Sequence, residues 1–274
     1  MVIMGKFLDA FHTSYIIISL VLTAGILILA KLFLRQQKSK NIFLLIIGIS
    51  AYVIHMSLLW YDFLATGQTP VARVYMLFVI YPCNLVMVLG AIIPLIKRKN
   101  TKFFQSLCIF TFYVGVVGTL ASLFDPSYYF SQGISFDSLK SMISHSLAFL
   151  FCLWLLIGGY VKLRLTNIIP YSICLVATII YAIVVSSIFR LVGADYKNVM
   201  YIITPAISGT PLNLWFISAL SLVVFSLTGF LAEFFYPKNQ RSYLKFMVFE
   251  KKNIDGSLVI DNLDNDSKVL NPKS

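Results

Sequence analysis

The stretch MLFVIYPCNLVMVLG (Met76 to Gly90) is apolar almost throughout, yet it sets a proline, a thiol and an amide side by side at Pro82, Cys83 and Asn84. Its length and oiliness decide the fold class. It belongs to one of seven such runs: Ser14–Leu34, Asn41–Ala65, Ala72–Ile96, Phe103–Phe124, Ser138–Val161, Ile168–Val192 and Leu212–Tyr236. Each meets the ~20 residues needed to cross about 30 Å of hydrocarbon. Strands of a membrane barrel would alternate in polarity and be much shorter. No water is available inside a bilayer to bond the backbone, so unbroken apolar runs of this length must be helices.

Composition agrees. Hydrophobic residues make up 59% of the 274 and charged residues only 12%, against about 25% charged in a soluble domain. The mean hydropathy is +0.85. Too little polar surface exists to coat a globule. The expectation is an all-α polytopic membrane protein, seven transmembrane helices in one bundle. The N-terminal MVIMGKFLDAFHTSY has a weak basic region and no small-residue cleavage site, so the first span reads as a retained helix.

Charge orients that bundle. Lys31, Arg35, Lys38 and Lys40 flank the first loop, Lys97, Arg98, Lys99 and Lys102 the third, and Lys162 and Arg164 the fifth; seven more basic residues follow the last span. The other side holds only Lys6, Arg73, Lys140, Arg190 and Lys197. By the positive-inside rule the N-terminus is outside and the C-terminus cytoplasmic, in a multi-pass protein of the cell membrane. The net charge of +11 is thus a topology signal. Cations confined to short loops beside spans argue against a nucleic-acid partner.

Three regions follow. Residues 1–237 form the seven-helix domain. Residues 238–252 interleave basic and aromatic residues, as an interfacial segment drawn to anionic lipid at the cytoplasmic face. Residues 253–274 are polar and mixed in charge, a disordered cytosolic tail. The sixth loop, Gly193 to Asn213, is long, half apolar and punctuated by Pro205, Gly209 and Pro211. It reads as a segment that re-enters the membrane or covers the outer mouth, or else as a partly ordered outer loop. No internal repeat marks an inverted-repeat transporter, and no nucleotide motif is present. The four cysteines lie inside spans, without disulfide or zinc spacing. Neither a metal nor a soluble cofactor is implied.

Polar groups at membrane depth are costly and mark candidate chemistry. His55 and Asp62 lie in the second span, Cys83 and Asn84 in the third, Ser144 and His145 in the fifth, and Glu233 near the end of the seventh. At about 1.5 Å per residue, Cys83 lies about 17 Å, His55 about 15 Å and His145 about 10 Å below the outer face. The three share one slab. A thiol beside an imidazole can act as nucleophile and base. Pro82 reads as a kink that removes one helical amide, and Asn84 either offers its amide to an oxyanion or satisfies the freed carbonyl. The bland readings are a packing thiol at Cys83 and interhelical hydrogen bonding at His145. Cys108, Cys152 and Cys174 read as packing residues, and Asp62 and Glu233 as span-end groups that snorkel or pair with basic neighbours.

The motifs YPCNLVMVLGAIIP, SHSLAFLFCLWLL and KNVMYIITPAISGTPLN, in this order, resemble the YwaF-like integral membrane family related to the transmembrane protein 164 acyltransferase. The resemblance covers most of residues 40–236. It implies a seven-helix enzyme that remodels phospholipids, with membrane lipids as its substrates and an intramembrane cysteine and histidine as catalytic pair, here Cys83 and His145. Where bacterial relatives carry His or Gln two residues before the cysteine, this chain has Tyr81. Asn198 and Tyr201 fall in the third motif and are expected to line the outer mouth. Against the acyltransferase stand two other classes: a solute or proton-coupled transporter running along His55, His145 and Asp62, and a non-catalytic lipid-binding protein.

Overall fold

A computed structural model describes residues 10–67, 78–124, 135–193, 198–205, 211, 213–237, 241, 249–252 and 258–261. Within the helices, the side chains of Asp62, Phe63 and Thr66 lie outside this description. Most of the 238–252 segment and of the 253–274 tail also falls outside it. The body is helical: α1 (Ala10–Phe33), α2 (Gln37–Thr66), α3 (Pro82–Ile92), α4 (Lys102–Phe124), α5 (Phe136–Ile157), α6 (Ile168–Leu191) and α7 (Leu214–Phe234). Among the described residues, six of these segments are long and apolar enough to cross a membrane, and α3 with its 3-10 extension Ile93–Leu95 is a shorter apolar helix. Beyond α7, β1 (Phe249–Lys252) and β2 (Leu258–Asp261) pair antiparallel, Phe249 opposite Asp261. β1 ends the 238–252 segment and β2 lies in the 253–274 tail.

The bundle is built around α5. It touches α1, α2, α3 and α4, while α6 and α7 join through α4 and the α5–α6 turn. Its sequence explains the position. Trp154, Leu155, Phe151 and Cys152 are almost wholly buried on one side, and Ser141, Ser144 and His145 on the same helix are equally enclosed. By contrast, α1 buries only one stripe, His12, Ile16, Ser19, Thr23, Leu27 and Ala30, at helical spacing. Its other face presents Ile17, Val21, Leu22, Ile28 and Leu32 outward, as a lipid-facing span requires. Polar groups fix α1 in place: the Tyr15 hydroxyl donates to the Met142 carbonyl of α5 at 3.0 Å, and His12 meets the Leu123 carbonyl of α4 at 3.0 Å.

Two close approaches depend on glycine. A Cβ on Gly48 of α2 would run into the Gly90 carbonyl of α3, so these helices meet backbone to backbone. A Cβ on Gly115 of α4 would land on Cys152 Sγ of α5. That assigns Cys152 to packing, as the sequence implies; Cys108 is likewise fully buried.

The third span differs from expectation. It is not one kinked helix from Ala72. Residues 71–77 lie outside the described set, Phe78–Ile80 are not helical, and Pro82 is the first residue of α3 rather than a break within it. The local sequence permits this start. Tyr81 is extended (φ −118°, ψ 154°), the conformation that a following proline enforces. Proline also suits a first helical position, where its missing N–H has no intrahelical partner to lose. No carbonyl is freed by a kink here, so Asn84 has none to satisfy.

Candidate active site

Starting α3 at Pro82 places Cys83 at its second position and Asn84 at its third. The thiol therefore sits at a helix N-terminus, where amides lack carbonyl partners and the field favours negative charge. The backbone amides of Asn84 and Cys83 itself face the sulfur. The thiol donates to the Asn84 side-chain oxygen at 3.5 Å. Asn84 is buried and stands beside the sulfur as an acceptor.

Across from Cys83 lies a cavity of about 260 Å³. Cys83 and His145 both line it, with Tyr81, Pro82 and Leu85 from the α3 side. The α4 wall is Val114, Val117, Gly118 and Ala121, and the far wall comes from α6 and α7. Phe110, Tyr113, Tyr171 and Phe225 also border it and lie against one another, with ring centroids 4.1–5.8 Å apart. The Tyr171 hydroxyl is tied to Ser221 at 2.8 Å. Most of the lining is apolar, the surface an acyl chain prefers.

His145 is 3% exposed and its Nδ1 lies 2.7 Å from the Ser141 carbonyl. A carbonyl only accepts, so a neutral ring carries its proton on Nδ1 and its lone pair on Nε2. That is the tautomer a general base needs. Ser144 hydrogen-bonds the same carbonyl at 3.1 Å and is a local helix contact.

The remaining sequence candidates divide. Tyr81 and Tyr201 both border the cavity, their rings 5.4 Å apart. Asn198 is a loop staple: its side-chain oxygen accepts from the amides of Ile203 (2.8 Å) and Thr204 (3.1 Å), and its NH2 donates to the Thr204 hydroxyl at 2.6 Å. The described part of the sixth loop, 198–205, packs against the bundle. Val199 and Met200 are buried, and the Met200 amide donates to the Ile80 carbonyl at 2.6 Å. Met200 and Tyr201 take positive φ, 54° and 57°, a conformation non-glycine residues rarely hold without support. His55 is buried and neither ring nitrogen has a hydrogen-bond partner in the structure. It is close enough to His145 and Lys140 to interact electrostatically but does not border the cavity. Glu233 does not snorkel. It is fully buried and accepts from the Leu165 amide at 3.1 Å.

Sequence reasoning missed Lys140, counting it as a topology charge. It is 5% exposed, paired to Asp137 at 3.0 Å, and stands within electrostatic range of Cys83, His145 and His55. The signal was present in DSLK (Asp137 to Lys140), an acid three residues before a lysine on one helical face.

A family model described as the TMEM164 family matches residues 7–235. The chain belongs to this family. The match spans all seven helices and both sides of the Cys83–His145 cavity, so the TMEM164 family assignment covers the whole membrane body rather than one motif. No curated protein and no solved structure matches the chain.

Proposed function

We propose that this TMEM164-family protein is a membrane acyltransferase that remodels phospholipids through an acyl-thioester on Cys83. The observation that carries the reading is that Cys83 and His145 line one mostly apolar cavity inside a membrane bundle. His145 Nε2 removes the thiol proton as the sulfur attacks an ester carbonyl of the donor lipid. The C–O bond breaks, and the same imidazolium returns the proton to the departing lysophospholipid oxygen. The acceptor hydroxyl then gives its proton to His145 and attacks the thioester. The C–S bond breaks, and the thiolate regains the proton. The α3 N-terminus and the nearby Lys140 ammonium favour the anionic species along this path. Tyr81 and Tyr201 border the same cavity as the thiol.

On this reading the positive-inside rule puts the N-terminus outside and the C-terminus in the cytoplasm, with residues 238–252 against anionic lipid of the cell membrane. A transport reading finds less support, since packed aromatic rings border the cavity rather than a chain of ionisable groups.

The test is purified full-length protein with acyl-labelled phospholipid and an unlabelled lysophospholipid. Transfer, and a hydroxylamine-sensitive label on the protein, are expected for the natural chain and for neither Cys83→Ala nor Cys83→Ser. Undiminished transfer by Cys83→Ala ends the covalent mechanism.

A further inference from the structure

A second and larger cavity, about 570 Å³, lies at the other end of the bundle. Its walls are the start of α2, the α3–α4 loop with the first turn of α4, and the α5–α6 turn. Five cations border it: Lys97, Arg98, Lys99, Lys162 and Arg164. Not one acidic side chain is among its lining residues. Along α4, Thr101 on this cavity and Gly118 beside Pro82 are separated by about 25 Å. The two cavities therefore serve different ends of the bundle.

The positive-inside rule accounts for cations at this end but not for their convergence. Arg35 and Lys38, in the neighbouring turn, are exposed and do not border the cavity, whereas Lys97 and Arg98 are equally exposed but line it. The cavity cations stand on pinned backbone. Lys99 Nζ donates to the carbonyls of Pro94 (2.9 Å) and Ile96 (3.2 Å) and lies 5.1 Å from the Phe104 ring centroid. Thr101 Oγ1 donates to the Arg98 carbonyl and accepts from the Phe104 amide, capping α4. Asn167 donates to the Lys162 carbonyl at 2.6 Å, and the Tyr160 hydroxyl to Asn41 at 2.7 Å. Arg164 is 3% exposed. Five cationic side chains around one concavity, with the α4 N-terminus beside them, set a positive field there. Such an arrangement gains most from a bound anion with several acceptor oxygens, which guanidinium and ammonium groups bind together.

We propose that this cavity is a phosphate-binding site, which takes the phosphate ester of an anionic lipid headgroup or of a soluble phosphorylated ligand. The groups that hold it are Arg98 and Lys162, on opposite walls, with Lys97 and Arg164 beside them.

The experiment is thermal unfolding of the full chain in neutral detergent, followed by tryptophan fluorescence. Three probes are titrated: short-chain phosphatidic acid, phosphatidylcholine of the same chain length, and inorganic pyrophosphate. Phosphatidic acid raising Tm while pyrophosphate does not assigns the lipid source. Pyrophosphate alone sufficing assigns a soluble one. Phosphatidylcholine, whose phosphate carries its own cation, has little effect. The paired variant Arg98→Gln, Lys162→Gln binds about tenfold more weakly or worse. Its Tm and its emission spectrum without probe are recorded first, which separates lost binding from lost folding. The exposed pair Arg35→Gln, Lys38→Gln binds normally. Failure of both phosphate probes to shift the natural chain, or equal losses in the two paired variants, overturns the site. Binding is read without turnover, so it stands or falls apart from acyl transfer.

Discussion

The Met200 amide donates to the Ile80 carbonyl at 2.6 Å, joining the sixth loop to the extended residues that lead into Cys83. The thiol's helix thus begins where it does because the chain before it is paired to a loop more than a hundred residues later. Asn198 holds that loop in shape with bonds to Ile203 and Thr204. Asn198→Ala is expected to cost about 1–3 kcal/mol locally, mostly as opening of the loop. Hydrogen exchange at Ile203 and Thr204 should rise, and Cys83 should react faster with a water-soluble maleimide. Unchanged exchange at both amides refutes the staple.

His145 allows a substitution that separates position from chemistry. His145→Asn can keep a donor toward the Ser141 carbonyl, now 2.7 Å from Nδ1, but has nothing in place of Nε2. Its melting temperature should stay within a few degrees of the natural chain, while acyl transfer falls by about 10²–10⁴-fold. A loss under threefold removes His145 from the role of base.

Gly118 tests whether the cavity holds the substrate. A Cβ there has ordinary room, its nearest neighbour being Pro82 Cβ at 4.0 Å. Gly118→Ala should fold well and gain up to about 1 kcal/mol from helix propensity. Gly118→Leu extends into the space beside Cys83, and transfer should be lost while the protein still extracts as a monodisperse species. Full activity in Gly118→Leu would place the acyl chain elsewhere.

Gly115 and Cys152 form a testable pair. Gly115→Ala drives a methyl group into the Cys152 sulfur and crowds Val86, an overpacking cost of about 1–3 kcal/mol. Adding Cys152→Ala removes the sulfur and should return part of that stability in a double-mutant cycle. Strict additivity of the two changes in thermal unfolding would show that they do not touch.

The spans were legible because an apolar run of about 20 residues in a bilayer has one solution. The start of α3 was not. Pro82 suits both a mid-helix kink and a first turn, and the choice rests on Ile80 pairing with Met200, which no local pattern announces. Depth matching of Cys83 with His145 reached a shared cavity, but through helical rise counted from Ala72, where no described helix supports the count. Asn84 reads as an oxyanion donor or as the partner of a freed carbonyl, and Asn198 as lining of the outer mouth; in the structure the Asn84 side-chain oxygen accepts from the thiol and Asn198 bonds within its own loop. Side-chain direction is invisible in a sequence without periodic contrast, as in α3, where nearly every neighbour is apolar. Lys140 was missed because a burial that inverts the usual placement of lysine depends on the packing of α2, α3 and α5 together.

The backbone contact between Gly48 and Gly90 bears on how the protein is made. The α3 helix and its 3-10 extension rise only about 22 Å, less than the roughly 30 Å of a bilayer core. Such a segment gains too little from lipid to settle by itself as an independent span. It reaches its place by docking into a groove that α2 and α5 already form, and the glycine pair is what lets it come close enough. The helix bearing the thiol is therefore expected to settle only after α5, synthesised later, is in place. Substitutions at Gly48 should surface in cells as nascent protein cleared by quality control, with any surviving molecules fully competent.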